Sequence, residues 1–226
     1  MKLLFLFAFG LISETLCAQN GRYDTIQYAK EYHQQRLILF GSEPVTNSKI
    51  IFLGNSITEF GDWKKLLGDS DVVNRGIAGD NTFGVLARLQ DVIARKPQKL
   101  FIEIGINDIS QDIPVDIIVK NIFTIAATVK EKLPRAEIYV TSILPVNDNV
   151  KNEYPDAYDK ETQINAVNKQ LKHYAKRDHF TYIALNKKFK DSNGNLDVKY
   201  AAPDGLHLNE TGYLLWIKLL RMKKYL

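Results

Sequence analysis

Ser56, His207 and Asp204 are the residues of this chain whose types and settings together make an activated nucleophile. Ser56 closes the stretch Ile50-Ile51-Phe52-Leu53-Gly54-Asn55-Ser56, four apolar residues and then a turn. Such a run reads as a short strand buried on both faces. The serine then sits at its carboxyl end, the edge where open α/β sheets bind ligands. A serine hydroxyl is a weak nucleophile at neutral pH and needs a base to take its proton. His207 is the candidate base. In Pro203-Asp204-Gly205-Leu206-His207 a carboxylate lies three residues upstream, where a tight loop lets it reach Nδ1 and leaves Nε2 for the serine. His33, His173 and His179 have no such setting and are expected at the surface.

Acyl transfer also needs donors for the oxyanion. Three are within reach of this reading: the Ser56 N–H, the Gly79 N–H in Ile77-Ala78-Gly79-Asp80, and the side-chain amide of Asn107 in Gly105-Ile106-Asn107-Asp108. One such donor is worth about 100- to 1,000-fold in turnover. Each fragment alone suits an ordinary turn or helix cap. Their order, each just past a strand or before the last helix, favours chemistry.

The elements that must carry them alternate along the chain. A loose helix is expected over 22–40, a strand over 50–53, a short helix over 63–67 and a brief strand over 71–74. Asn81 or Thr82 caps a helix with Phe83, Leu86, Leu89 and Ile93 on one face, closed by Pro97. Strand 100–104 follows. Pro114 then opens a long helix with Val115, Ile118, Val119, Ile122, Ile125, Ala126, Val129 and Leu133 at helical spacing. Strand 137–144, helix 161–177, strand 180–185 and an amphipathic helix 210–225 complete the pattern. Five alternations with no internal repeat and no linker predict a parallel sheet covered on both faces.

Composition narrows the alternatives. Residues 1–18 read as a secretory signal peptide: Lys2, an apolar stretch over 3–12, and Leu16-Cys17-Ala18 offering a small residue for cleavage. That stretch is shorter than the ~20 residues that span a bilayer. Residues 19–226 are expected to form one exported domain with an N-terminal helix. A lipidated Cys17 is the minor alternative, disfavoured by Glu14 where an apolar residue is wanted. Cys17 is the chain's only cysteine, so the mature chain excludes disulfides, thiol catalysis and Cys-ligated metals. The net charge is +4, with basic residues scattered except for short clusters such as Lys187-Lys188, which argues against nucleic acid. Asp62, Asp69 and Asp71 are too loosely spaced for a calcium loop, and the histidines do not pair at ligand spacing. No metal and no cofactor are expected. Glu103, a carboxylate within an apolar strand, has no evident role.

The four blocks Gly54-Asn55-Ser56-Ile57, Gly79, Gly105-Ile106-Asn107-Asp108 and Asp204-Gly205-Leu206-His207 closely resemble those of the SGNH hydrolases, the GDSL-like esterase/lipase family. The resemblance spans roughly 49–220. It implies a three-layer α/β/α, flavodoxin-like fold with a five-stranded parallel sheet, a catalytic Ser56-His207-Asp204 triad, and an oxyanion hole from Ser56, Gly79 and Asn107. Gly76-Ile77-Ala78-Gly79-Asp80-Asn81-Thr82 and Val85-Leu86-Ala87-Arg88-Leu89 look like the branch containing the platelet-activating-factor acetylhydrolase catalytic subunits. One departure is Asn55, where the family usually has Asp.

No insertion is large enough to form a hydrophobic lid, and the loop over 145–160 is rich in Asn, Asp and Tyr. The expected substrate is therefore a short-acyl, acetyl-type ester on a carbohydrate. The runner-up is a short-chain phospholipid acetylhydrolase or lysophospholipase. A third reading, a non-catalytic glycan-binding relative, is disfavoured because binding alone requires no triad. Expected partners are a small-molecule or glycan ester, with no nucleic acid and no stable membrane insertion.

Overall fold

The computed structural model describes residues 29–150 and 153–226. The leader expected over 1–18 and the start of the N-terminal helix lie outside the described residues. In chain order the elements are α1 (Lys30–Ser42), β1 (Ile50–Gly54), α2 (Ser56–Glu59), α3 (Trp63–Leu67), β2 (Val72–Gly76), α4 (Thr82–Ala87), α5 (Leu89–Ala94) and β3 (Lys99–Glu103). Then come α6 (Ile106–Ser110), α7 (Val115–Lys132), β4 (Glu137–Thr141), a 3-10 turn (Pro155–Ala157), α8 (Glu161–Tyr174), β5 (Thr181–Ile183), α9 (Asn186–Phe189) and α10 (Glu210–Met222).

The five strands are all parallel, in the order β2-β1-β3-β4-β5. All five β1 residues are buried, as a strand covered on both faces requires. On one face Phe52, Phe101 and Tyr139 stand in register on adjacent strands. Their rings stack with centroids 4.9 and 4.7 Å apart. Trp63 of α3 lies flat on Phe52 at 3.9 Å, and Trp216 of α10 meets Trp63 edge-on at 5.2 Å. The opposite face carries α4, α5, α7 and α8, which pack against one another. In α7 the side chains of Ile118, Ile122, Ile125 and Val129 are buried, the single apolar stripe that the helical period dictates. The result is the expected three-layer α/β/α arrangement.

Strand order fixes where a site can form. The chain leaves β1 for β2 on one side, then crosses back to β3 on the other, so a crevice opens at the carboxyl ends of β1 and β3. Ser56 follows β1, Gly79 follows β2 and Asn107 follows β3.

Three expectations need correction. The helix expected from Asn81 to Pro97 is two helices broken at Arg88, whose φ of −108° and ψ of 9° leave the helical region. Asn81 does cap the first, accepting from the Phe83 and Gly84 N–H groups. The break turns Val85, Leu89 and Val92 inward, while Phe83, Leu86 and Ile93 are only partly buried. Its cause is the Arg88 guanidinium, drawn inside to Asp80 Oδ2 at 2.8 Å and to the carbonyls of Arg75 and Gly54 at 2.9 and 3.0 Å.

Strand β4 ends at Thr141, short of Leu144. The Asn168 side chain takes over the Ile143 backbone, accepting from its N–H at 2.8 Å and donating to its carbonyl at 2.9 Å. His33 is buried rather than superficial, because α1 lies against the loop after β2 and sets its imidazole 3.4 Å from Asp80. His173 and His179 are exposed as expected.

Candidate active site

Ser56 opens α2 directly after β1. The turn before it is fixed by Asn55, whose Oδ1 accepts from the Ile57 N–H at 2.9 Å, one of the orphan donors at a helix start. The Asn55 Nδ2 is buried with no partner among the described residues. An aspartate, the residue usual at this position, would cap the same N–H.

His207 reaches Ser56 from the far end of the chain, with its Nε2 2.8 Å from the Ser56 Oγ. Its Nδ1 lies 2.7 Å from Asp204 Oδ2. The other Asp204 oxygen accepts from the N–H groups of Leu206 and His207, each at 2.9 Å. The carboxylate thus folds its own loop and aims the imidazole with the same hydrogen bonds. Burial raises the Asp204 pKa, but the hydrogen bonds from the His207 side chain and backbone and from Leu206 outweigh it and hold the carboxyl below its ordinary value. Phe60 and Tyr154 flank the His207 ring, with centroids 5.0 and 5.5 Å away.

The expected oxyanion donors converge on the same place. Gly79 has φ +78°, where a side chain is strained, and a Cβ there would stand 2.4 Å from the Ala29 Cβ. Asn107 is the second residue of α6, not its cap. Its Nδ2 donates to the Asp80 carbonyl at 2.8 Å, which uses one hydrogen and leaves the other for a ligand. Ser56, Gly79, Asn107 and His207 all line one cavity of about 210 Å³, together with Ala29, Tyr32 and Phe60.

A model of the GDSL-like lipase/acylhydrolase family matches residues 52–215. The chain belongs to this family. Platelet-activating factor acetylhydrolase IB subunit alpha1 of Homo sapiens is 25% identical over 172 residues, which are 73% of this chain and 70% of that protein. A Streptococcus pneumonia structure named for platelet activating factor is 26% identical with a TM-score of 0.74, covering 96% of this chain and 99% of that one. An acetyl-xylooligosaccharide esterase from Geobacillus Stearmophilus shares the fold, at 20% identity and a TM-score of 0.62 over 78% of this chain and 94% of that one.

Around this GDSL-like site the structure adds residues that no sequence pattern announced. Glu59, at the end of α2, accepts from the Ala78 N–H with Oε2 at 2.6 Å. Its Oε1 accepts from the Tyr32 hydroxyl and pairs with Arg36 Nε at 3.1 Å. One carboxylate therefore ties the nucleophile helix, the Gly79 loop and α1 together. Behind them Asp80 and Arg88 form a buried ion pair at 2.8 Å. Asp108, also buried, accepts from Thr82; burial first, with the nearby Asp80 charge adding to it, pushes its pKa up to about 7 against the Thr82 hydrogen bonds. Glu103 is buried with neither oxygen partnered by a described residue, and burial pushes it up to about 8. Among the described residues no group of His, Asp and Glu could hold a metal ion, and no helix is long and apolar enough to cross a membrane.

Proposed function

We propose that the protein is a serine esterase that removes short acyl groups, acetyl foremost, from carbohydrate alcohols through an acyl-enzyme. The observation that carries this reading is the hydrogen-bonded row from Asp204 through His207 to Ser56, at 2.7 and 2.8 Å. For this step the His207 Nδ1–H donates to Asp204 and Nε2 accepts from the Ser56 hydroxyl. Ser56 Oγ bonds to the ester carbonyl carbon as its proton passes to Nε2, and the carbonyl electrons move onto oxygen. The N–H groups of Ser56 and Gly79 and the free Asn107 hydrogen meet that charge where it develops.

Collapse of the tetrahedral species breaks the bond to the alcohol oxygen, which takes the proton from Nε2 and leaves. Water then attacks the acyl-Ser56 carbonyl and gives its proton to His207. The bond from the acyl carbon to Ser56 Oγ then breaks, Oγ takes the proton back from His207, and the acid departs. Asp204 stays ionised throughout, fixing the imidazole tautomer and stabilising the imidazolium.

Three observations support a short acyl group on a sugar: the small cavity over Ser56, the polar loop over 145–160, and a fold neighbour that acts on acetylated xylooligosaccharides. The leader read at 1–18 gives the enzyme a place outside the cytoplasm, where acetylated glycans are met. A second reading, an acetylated phospholipid as substrate, is favoured by the similarity to the human acetylhydrolase subunit. Labelling by a fluorophosphonate with p-nitrophenyl acetate turnover tests the enzyme. Ser56→Ala should fold normally and lose both, and full turnover in that variant rejects the assignment.

A further inference from the structure

Past Tyr154 the cleft continues into a second cavity of about 320 Å³. Asn107, Tyr154 and Leu206 line both this space and the one over Ser56, so the two form one groove with a waist at Tyr154. Both are walled mostly by apolar surface. Around Ser56 that wall is small or aromatic: Ala29, Tyr32, Ala78 and Gly79. Beyond the waist Pro155 and Ala157 continue it, and Gln111, Glu153 and Asp156 add polar groups.

An ester whose carbonyl oxygen points at Gly79 and Asn107 sends its acyl and alcohol halves in different directions from the carbonyl carbon. His207 must protonate the departing alcohol oxygen, so the alcohol half lies on the His207 side. Leu206 directly precedes His207, and Tyr154 stands edge-on to its ring. Both open into the second cavity. We infer, on the esterase reading above, that this cavity is the alcohol subsite and that it takes a neutral polyhydroxylated ring in preference to a phosphate-bearing glycerol.

Charge and size both point this way. The Glu153 and Asp156 carboxylates have no hydrogen bond or ion pair with a described residue, so each is free to accept from ligand hydroxyls. Both carboxylates stand exposed at the rim of the cavity, where they accept from sugar hydroxyls and add a negative potential that disfavours a phosphodiester, though solvent screens it. The Tyr154 ring at the waist offers a flat apolar wall to the C–H face of a sugar. The volume is at the lower end of ligand cavities, about 300–1,000 Å³, which suits a compact ring.

The test compares two acetyl esters with alcohols of similar leaving ability, a mono-O-acetylated methyl xyloside and a 2-acetyl glycerophosphoglycerol, an anionic phospholipid whose phosphodiester carries no compensating cation, each normalised to p-nitrophenyl acetate. The whole protein should show kcat/KM at least about tenfold higher for the sugar ester than for the phospholipid. In the double variant Glu153→Gln with Asp156→Asn that preference should shrink about tenfold or vanish, with the phospholipid gaining relative to p-nitrophenyl acetate. A phospholipid preference in the unaltered protein overturns the subsite, as does a sugar preference that the double variant leaves intact. If p-nitrophenyl acetate itself is left unhydrolysed, the esterase reading falls and the subsite with it.

Discussion

The Glu59 Oε2 accepts a hydrogen bond from the Ala78 N–H at 2.6 Å, joining the helix that begins with Ser56 to the loop that presents Gly79. Because the Ala78 N–H is held, the next N–H along the chain, that of Gly79, is oriented relative to the serine. Glu59→Ala frees the loop and should lower kcat about tenfold or more with little change in KM, since the oxyanion charge exists only in the transition state. Glu59→Gln keeps an acceptor for Ala78 and should recover much of the loss. Steady-state kinetics on p-nitrophenyl acetate checks both. Equal losses in the two variants would mean that the ion pair with Arg36, not the hold on Ala78, is what matters.

Asp204→Asn should reduce kcat by about 10,000-fold, because an amide nitrogen facing Nδ1 favours the wrong imidazole tautomer. The same change removes a carboxyl held below its ordinary pKa. A depressed carboxyl lends stability above its unfolded pKa and loses it as pH falls through the folded one. The variant's melting temperature should therefore lie below that of the parent near neutrality and approach it in acid. Rate and thermal denaturation measured from pH 3 to 7 give both answers.

Asn107→Ala should lower kcat by about 100-fold or more, with KM nearly constant. Asn107→Asp should be worse, since a carboxylate would oppose the developing charge. Loss of the hydrogen bond to Asp80 costs about 1 kcal/mol of stability as well, so denaturation curves are needed beside the kinetics. A destabilised Asn107→Ala enzyme with normal kcat would falsify the oxyanion role.

Ala29 and Tyr32 line the cavity of about 210 Å³ over Ser56, a small space for the acyl group. Rates on p-nitrophenyl esters should fall beyond about four carbons, because added methylenes gain none of the ~0.8 kcal/mol that each would gain on burial. A chain-length series reads this directly. An optimum at eight carbons or more would argue for a lipid substrate.

Glu103 makes the alkaline limb of stability informative. Burial pushes its carboxyl from 4.5 up to about 8, so the folded protein keeps a proton that the unfolded chain has lost. That stabilisation is whole below about pH 4.5 and is lost as pH rises toward 8, at up to about 1.4 kcal/mol per pH unit. Asp108 adds the same sign of slope, ending near pH 7. Glu103→Gln keeps a neutral group of the same shape. Its melting temperature should exceed the parent's at pH 8, with the slope between pH 7 and 8 flattened. An unchanged profile would mean that the carboxyl is solvated or paired.

The residues expected from sequence to do chemistry were recognisable because each lies in a short loop whose shape is set locally. Asn55, Gly79 and the Asp204–His207 turn make their hydrogen bonds or strained torsions within a few residues. Glu59, Tyr32 and His33 left no such trace. Their partners are distant in sequence, and nothing in the weak pattern of residues 30–42 says that this helix lies against the Gly79 loop. The break at Arg88 was illegible for the same reason: its partners, the Arg75 and Gly54 carbonyls and the Asp80 carboxylate, come from other elements.

The aromatic stack under β1 makes the protein its own optical reporter. Trp63 and Trp216 are its only tryptophans, and they touch edge-on in a fully buried setting. The Trp63 Nε1–H donates to the Thr58 carbonyl at 2.7 Å, in the short helix headed by Ser56. Tryptophan fluorescence therefore comes from a single spot bonded to the helix that begins with Ser56. Emission should stay blue-shifted until that helix lets go, whatever the outer helices do, and a change on acylation would be visible without any label.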